Sequence, residues 1–147
     1  MKIKFLILGS GFAGLTLARK LSGEVSGKDI ALISKNEYFV FTPNLYEVAT
    51  AEEELESVSD LKKSIVISIP EAMKKMGVTF IQSEVKKVDF QNKIVTLANK
   101  TIEFEYIVCA LGSESEYFGI TGAKENALPL KSLEDALRIK NAIEFAV

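Results

Sequence analysis

A glycine-rich segment near the start of the chain places the strongest constraint on its fold. Residues 9–14 are Gly-Ser-Gly-Phe-Ala-Gly, which is the pattern G-x-G-x-x-G. The preceding apolar run, Lys4–Leu8, predicts a strand buried on both faces, and the segment Phe12–Leu21 has apolar residues at helical spacing. A second buried strand is predicted at Ile30–Ile33. Strand, turn, helix and strand therefore form one βαβ unit with parallel strands.

The three glycines of this turn have separate roles in a dinucleotide-binding site. Gly9 permits the tight turn, Gly11 lets a pyrophosphate approach the backbone, and Gly14 lets the helix and strand pack closely. The N-terminus of the helix attracts the anion. Since the turn directly follows a predicted strand and opens a helix, this function is favoured over helix–strand packing alone.

The residue expected to bind a ribose departs from the common pattern. An acidic residue is usual about 20 residues past the turn, whereas this chain has Ser34. A hydroxyl can still bond to a ribose, but the lost charge weakens binding on the order of 1 kcal/mol. Glu37 could reach back to the ribose. Lys35 could neutralise a 2′-phosphate, or it could be a solvated loop lysine.

The middle of the chain predicts a loop, two helical segments and a strand. Asn36–Thr50 is interpreted as a loop rich in aromatic residues, and the segment from Glu52 to Ile69 as helical. A short helix, Glu71–Met76, follows Pro70, and a third strand is predicted at Val78–Phe80.

The second half of the chain alternates apolar and polar residues over short segments. This alternation predicts an antiparallel meander that lies on the parallel sheet. The predicted strands are Val85–Phe90, Lys93–Leu97 and Thr101–Phe104, followed by a separate and fully buried strand at Tyr106–Leu111. The last predicted helix is Ser132–Phe145, in which Ser132 is the N-cap and Asp135 completes a capping box.

Composition limits the chemistry that the chain can perform by itself. The 147 residues include no histidine and a single cysteine, so Ser-His, Cys-His and His-ligated metal chemistry are not expected, and no metal site is predicted. Cys109 lies in an apolar run, which predicts a buried, inert thiol. We therefore expect a cofactor to supply any redox chemistry.

Charge and hydropathy exclude several classes of partner. The net charge is −2, and the absence of long Lys/Arg runs argues against nucleic-acid binding. No signal peptide is predicted, because Met1–Lys4 leads directly into a short strand. No apolar stretch approaches the ~18–20 residues of a membrane span. We expect a cytoplasmic protein.

Four segments together resemble the pyridine nucleotide–disulfide oxidoreductase superfamily and, within it, the type II NADH dehydrogenases. They occur in the family's order: Ile7–Leu15, Tyr38–Ala49, Tyr106–Ser113 and Tyr117–Leu137. Leu32–Ser34 and Phe41–Pro43 are also similar to the sulfide:quinone oxidoreductases, which need redox cysteines. The match at Tyr117–Leu137 favours the NADH dehydrogenases. The resemblance implies an incomplete FAD/NAD(P)-binding domain, a Rossmann-like parallel sheet with an antiparallel β-meander.

This resemblance implies roles for individual positions. The glycine turn would hold the FAD pyrophosphate, Ser34 and Lys35 would lie at the adenosine ribose, and the Val85 backbone would meet adenine. Thr42-Pro43 would approach the flavin ring. Ala110-Leu111-Gly112 would form a second flavin-contacting turn, in which Leu111 replaces the usual threonine. The implied cofactor-binding residues are Gly9, Ser10, Gly11, Phe12, Ala13, Gly14, Ser34, Lys35, Thr42, Pro43, Val85, Ala110, Leu111 and Gly112.

Two sets of residues have a structural explanation that is as good as the functional one. Val85, Ala110 and Leu111 could simply be buried strand residues. The aromatic residues of the predicted loop could line a flavin or quinone site, or they could cover a hydrophobic core; they are Tyr38, Phe39, Phe41 and Tyr46.

The resemblance also implies a division of labour along a longer chain. Residues 1–112 would be the N-terminal segment of an FAD-binding domain, and residues 113–147 a connector and helix leading to an NADH-binding domain absent from this sequence. The complete protein would pass electrons from NAD(P)H via FAD to an acceptor, quinone, on the cytoplasmic face of the membrane, whereas this segment alone would be inactive. Two alternatives stay open: a stand-alone dinucleotide-binding module serving a partner subunit, and a sulfide:quinone oxidoreductase-like flavoprotein. A homodimer or a partner subunit could complete the fold.

Overall fold

The structure, a computed structural model, describes residues 1–51 and 65–146. Within them the order of helices and strands is that of an α/β fold. The strands are β1 Lys2–Leu8, β2 Ile30–Ser34, β3 Tyr38–Val40, β4 Val66–Ser68, β5 Thr79–Gln82, β6 Val85–Asp89, β7 Ile94–Leu97 and β8 Thr101–Cys109. The helices are α1 Phe12–Glu24, α2 Leu45–Ala49, α3 Ile69–Lys75, α4 Ala123–Asn126 and α5 Leu133–Ala146, with 3₁₀ turns at Gly27–Asp29 and Thr42–Asn44.

The main sheet joins a parallel half to an antiparallel half. Its strand order is β5-β2-β1-β8-β7-β6. β1 pairs in parallel with β2 on one side and with β8 on the other, and β5 pairs in parallel with β2. β7 pairs antiparallel with β8 and with β6. The predicted Rossmann-like sheet with an antiparallel meander is therefore confirmed.

The apolar runs of β1 and β2 are buried because both faces of the parallel sheet carry a hydrophobic cluster. On one face Leu6, Leu8 and Ile33 pack against residues of the meander, among them Val95 and Ile102. On the other face the helices α1 and α3 cover the sheet; the residues of this cluster are Ile7, Ala18, Ile30, Leu32, Phe39, Ile69, Met73 and Val78. This two-sided burial explains why the runs show no polar alternation.

The prediction of two strands at the end of the meander is wrong, because Thr101–Cys109 is one continuous strand. The residues that face the meander-side cluster do not alternate regularly along this strand. Ile102 and Phe104 are buried in the cluster, and the next residue that packs against it is the partly buried Ile107. Tyr106 is 56% exposed, and it stacks on Phe5 with ring centroids 5.4 Å apart. The second half of β8 is thus largely exposed rather than fully buried.

Cys109 corrects a second expectation, since its thiol is exposed and not buried. Among the described residues, the cluster on the face covered by α1 and α3 includes none from β8. Its residues come from β1, β2, β3, β5, α1, α3 and the segments that adjoin them. An apolar strand residue is buried only where another element covers its face. The apolar run around Cys109 therefore did not guarantee burial.

The segment after β2 contains more regular structure than predicted. Asn36–Thr50 includes the strand β3, a 3₁₀ turn and the helix α2, rather than a loop alone. The predicted helix from Glu52 to Ile69 falls largely on residues 52–64, which lie outside the described residues, and Val66–Ser68 is a strand. Helix α1 extends beyond the predicted segment Phe12–Leu21 and ends at Glu24.

The chain divides into two compact units. The first consists of Met1–Phe39 and Ser68–Gly112, and the second of Val40–Ile67 and Ser113–Val147. The first contains the main sheet. The second has its own apolar cluster, in which Leu45, Val48 and Ile65 pack with Ala136 of α5. The assignment of residues 1–112 and 113–147 to separate functional domains stays a prediction.

The predicted capping box at the start of α5 is present in full. The Ser132 hydroxyl accepts from the Asp135 N–H at 3.1 Å, and the Asp135 carboxylate accepts from the Ser132 N–H at 2.9 Å. The Lys131 N–H donates to the same carboxylate oxygen. Although burial raises the pKa of Asp135, these hydrogen bonds outweigh it, and the pKa lies below its usual value. In the described part of the chain, no helix is long and apolar enough to cross a membrane.

Candidate functional site

The carboxyl ends of four parallel strands are tied together by backbone hydrogen bonds. The Gly9 N–H donates to the Ile33 carbonyl at 2.8 Å, and the Ala110 N–H donates to the Leu8 carbonyl at 2.7 Å. The Ser83 N–H donates to the Ser34 carbonyl at 2.9 Å. The segments that follow β1, β2, β5 and β8 therefore start from one edge of the sheet.

This edge contains the point where the order of strands reverses. From β1 the chain moves to one side through β2 and β5, and β8 lies on the other side of β1. In open α/β sheets, ligands bind in the crevice outside the carboxyl ends of the strands at such a point. Here that point lies where Gly9 follows β1 and Ala110 follows β8.

The fold itself requires two of the three glycines in the turn. Gly9 has a φ of +102°, and a Cβ there would lie 2.2 Å from the Ala110 carbonyl oxygen. A Cβ on Gly14 would lie 1.9 Å from the Gly9 carbonyl oxygen. Neither oxygen can move easily, because both belong to the backbone.

Gly11 is different, since a Cβ there would meet none of the described atoms within 4 Å. Its φ of −74° is also accessible to any residue. Internal packing therefore gives no reason for a glycine at this position. The open space beside its backbone is what a closely approaching ligand would need.

The N-terminus of α1 has no capping side chain. Its N-cap is Gly11, which has no side-chain acceptor, and the first turn contains no acidic residue. The helix dipole gives such an end a partial positive charge. With the free space beside Gly11, this geometry suits a phosphate group.

A buried pair of hydroxyls links the glycine turn to the end of β2. The Ser10 hydroxyl donates to Ser34 Oγ at 2.7 Å, and the Asn36 N–H donates to the same oxygen at 3.1 Å. Ser10 and Ser34 are only 8% and 9% exposed. The bond to the Asn36 N–H was not predicted from the sequence, although serine hydroxyls commonly bond to the backbone two residues further on.

Charged residues lie on the loop that follows β2 and at the start of β6. Lys35 is exposed, and the Gln82 amide donates to its carbonyl at 3.5 Å. Glu84 is paired with Lys86 at 2.5 Å; this hydrogen bond and charge lower the pKa of Glu84, and Lys35 adds to the effect. Lys35 thus lies in a mixed-charge environment, and Glu37 is exposed.

The remaining predicted residues lie at different places. Val85 opens β6, where it is half-buried against the meander cluster. Leu111 is 68% exposed, so the interpretation of it as a buried strand residue is wrong, and Gly112 has a φ of +81°. Thr42 and Pro43 form an exposed 3₁₀ turn of the second unit. Cofactor contact by these residues stays a prediction.

The aromatic residues after β2 divide between core and surface. Phe39 is buried and packs edge-to-face on Phe12 of α1 with ring centroids 4.9 Å apart. Tyr38, Phe41 and Tyr46 are exposed. The interpretation as a core cover therefore holds for Phe39.

The strand order, the glycine turn and the open helix N-terminus define a Rossmann-like dinucleotide-binding fold. The family model of the pyridine nucleotide-disulphide oxidoreductases matches residues 3–144. The chain therefore belongs to the pyridine nucleotide-disulphide oxidoreductase family. Because it has one cysteine, it can form no internal disulfide itself.

Several known proteins are similar to this chain in sequence and in fold. The type II NADH:quinone oxidoreductase of Staphylococcus haemolyticus is 35% identical over 143 residues, which are 96% of this chain and 34% of that protein. The sulfide:quinone oxidoreductase of Aquifex aeolicus has a TM-score of 0.84 at 26% identity, over 97% of this chain and 32% of that one. NDH2 of Plasmodium falciparum has a TM-score of 0.78 at 25% identity, over 99% and 30%. The chain thus spans about a third of the length of such relatives.

Proposed function

We propose that this chain is the FAD-binding portion of a flavoprotein oxidoreductase that passes electrons from NAD(P)H through FAD to a quinone. The observation that carries the proposal is the contrast within the glycine turn. Gly9 and Gly14 are enforced by backbone contacts, whereas Gly11 faces free space at an uncapped helix N-terminus. A pyrophosphate at Gly11 explains why that position is a glycine.

The residues of the site would divide the binding of FAD among them. The N–H groups of the first turn of α1, from Phe12 to Gly14, would bind the pyrophosphate oxygens. Ser34 would bond to the adenosine ribose with Lys35 beside it, and the Val85 backbone would meet adenine. Ala110, Leu111, Thr42 and Pro43 would contact the flavin end. FAD would supply the two-electron chemistry, and the protein would orient it and exclude water.

The rest of the reaction belongs to a longer protein in this proposal. The relatives whose names include NADH and quinone are about three times as long as this chain, so sites for NAD(P)H and quinone would lie in sequence beyond it. Residues 113–147 would connect the FAD-binding domain to an NADH-binding domain. The complete protein would act as a peripheral protein on the cytoplasmic face of the membrane.

Two alternatives are supported by particular observations. Structural likeness to the sulfide:quinone oxidoreductase favours a related flavoprotein, and the exposed thiol of Cys109 is available for chemistry, although it has no partner cysteine in this chain. A stand-alone module that binds FAD for a partner subunit would use the same glycine turn.

Titration of FAD into the 147-residue protein, followed by flavin fluorescence, tests the proposal. The wild type should bind FAD and keep its visible absorption bands through gel filtration. Gly11→Ala should fold normally, because its backbone suits alanine and its surroundings are open, but should bind FAD at least tenfold more weakly, since a methyl group would occupy the place of the pyrophosphate.

Gly23→Ala is the matched control, because Gly23 lies in the same helix and also has open space around it. It should bind FAD like the wild type. A wild-type protein that shows no FAD binding would overturn the proposal. Equal affinity in Gly11→Ala and the wild type would remove the glycine turn from the site.

A further inference from the structure

Helix α1 begins without the local side-chain contacts that usually hold the first turn of a helix. A capping box needs a polar side chain at the N-cap and a Glu or Gln three residues later, whereas these positions are Gly11 and Gly14. A hydrophobic staple needs an apolar residue before the N-cap and another at the fourth helical position. Here that pair is Ser10 and Leu15. The orientation of the first turn therefore depends on contacts with more distant parts of the chain.

One such contact lies between two backbone segments. The backbone at Gly14 is so close to the Gly9 carbonyl oxygen that a Cβ on Gly14 would lie 1.9 Å from it. This approach sets the distance between α1 and the turn that follows β1. A single point of contact does not fix the rotation of the helix about that point.

A second contact is made by an aromatic pair. Phe12, the first residue of α1, packs edge-to-face on Phe39 of β3, with ring centroids 4.9 Å apart and an interplanar angle of 89°. Phe39 is 9% exposed and belongs to the apolar cluster on the face covered by α1 and α3, whereas Phe12 is 48% exposed. Because half of Phe12 stays in water, its burial contributes less than that of a core phenylalanine. Its contact with Phe39 is the main interaction that a ring provides at this position.

We propose that Phe39 is a positioning residue of the dinucleotide site. Its ring holds Phe12, and through Phe12 the first turn of α1, in the orientation in which this helix end receives a pyrophosphate. A capping side chain at position 11 would occupy the space beside the backbone that the ligand needs. The aromatic pair anchors the turn and leaves this space open. The inference rests on the proposed function, in which Gly11 and the first turn of α1 bind the pyrophosphate.

FAD titration of the 147-residue protein, followed by flavin fluorescence, tests the inference with variants shown by circular dichroism to be folded. Phe39→Leu and Phe12→Leu should each weaken FAD binding about fivefold, the equivalent of one aromatic pair. The double variant should bind FAD within about twofold of either single variant, because the second substitution has no pair left to break. Phe12→Tyr keeps the ring at a half-exposed position and should bind FAD like the wild type.

Two measurements separate positioning from a loss of stability. Phe80→Leu removes a partly buried ring from the same apolar cluster; it should lower the free energy of unfolding, as Phe39→Leu does, but leave FAD affinity at the wild-type value. Without ligand, exchange of the Leu15 amide hydrogen reports opening of the first turn, because this N–H donates to the Gly11 carbonyl at 3.0 Å. Phe39→Leu should speed that exchange at least about fivefold relative to the amide of Ala18 in the same helix. Phe80→Leu should change both amides equally.

The outcomes distinguish this inference from the proposed function. If Phe39→Leu binds FAD like the wild type, or if the two leucine substitutions weaken binding additively, Phe39 does not act through Phe12 and the inference is wrong. Equal weakening by Phe80→Leu would also overturn it, because a general loss of stability would then explain the effect. These results leave the proposed function intact where the wild type binds FAD and Gly11→Ala weakens binding.

Two further outcomes have a defined meaning. Should Phe39→Leu fail to fold, the comparison of Phe12→Leu with Phe12→Tyr decides, since both change a half-exposed side chain; equal FAD affinities of these two variants would overturn the inference. If the wild type binds no FAD, the proposed function fails, and the inference fails with it.

Discussion

The two long helices of the described chain begin in opposite ways. Helix α1 starts at Gly11, with no side chain to cap it and no acidic residue in its first turn. Helix α5 starts at Ser132, where a complete capping box accepts hydrogen bonds from the backbone and Glu134 and Asp135 add negative charge. The first N-terminus has no capping side chain, whereas the second is capped by side chains of the protein itself.

Because of this difference, a bound ligand could stabilise the N-terminus of α1 in the way that side chains stabilise the N-terminus of α5. An N-cap side chain typically contributes about 1 kcal/mol, and acidic residues in the first turn add about 0.3–1 kcal/mol through the helix dipole. Helix α5 has both contributions, whereas α1 has neither. An anion bound at α1 would provide the equivalent interactions, and it would do so only when present.

The largest effect is expected where α1 touches the turn before it. Gly14→Ala should destabilise the protein by roughly 3 kcal/mol, because the new Cβ would lie 1.9 Å from the Gly9 carbonyl oxygen. Urea unfolding measures the change. Gly23→Ala, in the same helix but in open space, should instead stabilise by up to about 1 kcal/mol. Equal stabilities of the two variants would contradict the close contact.

Giving α1 a capping side chain, as α5 has, should raise stability and lower FAD affinity. In Gly11→Asp the carboxylate would accept from the first-turn N–H groups, so the free energy of unfolding should rise by a few tenths of a kcal/mol. The same charge should lower FAD affinity by roughly 2 kcal/mol or more, through repulsion of the pyrophosphate. Fluorescence titration and urea unfolding measure the two changes. Unchanged FAD affinity would show that the anion does not bind at this end.

Removing the cap from α5 should affect stability alone. Ser132→Ala should lower the free energy of unfolding by about 1 kcal/mol, while FAD affinity stays at the wild-type value. Ser132→Thr retains the hydroxyl and serves as the control for this change. Loss of FAD binding in Ser132→Ala would mean that the two helix ends are not functionally separate.

The smallest expected effect depends on pH. Because the pKa of Asp135 is lowered in the folded protein, its carboxylate stabilises the fold above the unfolded-state pKa of about 3.9, and this contribution is lost as the pH falls through the folded-state pKa. Asp135→Asn should therefore be less stable than the wild type at neutral pH, by under about 1 kcal/mol. The difference should vanish near pH 2. A difference that persists there would exclude the carboxylate as its source.

Local signals were sufficient for the parts of the molecule that depend on neighbours in sequence. The glycine turn, the βαβ unit and the capping box at Ser132 follow from spacing and residue type, and the structure has all three. Burial of the second half of β8 could not be predicted in this way. Tyr106 and Cys109 belong to an apolar run, but their exposure depends on which distant element covers that face of the sheet.

The candidate site was predictable to a similar degree. The roles of Gly9 and Gly14 were expected from the motif and agree with the contacts around them. The hydrogen bond between Ser10 and Ser34 joins residues 24 positions apart, so no local pattern indicates it. It became visible only when the turn and the end of β2 were placed side by side.

The continuous strand β8 has a consequence for how the first unit opens. Its first residues pair with β7 and with β1, and its last residues pair with β1 alone. The meander cannot detach without exposing an edge of the strand that completes the parallel sheet. Because the meander and the parallel strands also share one apolar cluster, opening the meander would uncover part of the core of the parallel sheet, and amide hydrogens in the first half of β8 should be among the slowest of the unit to exchange.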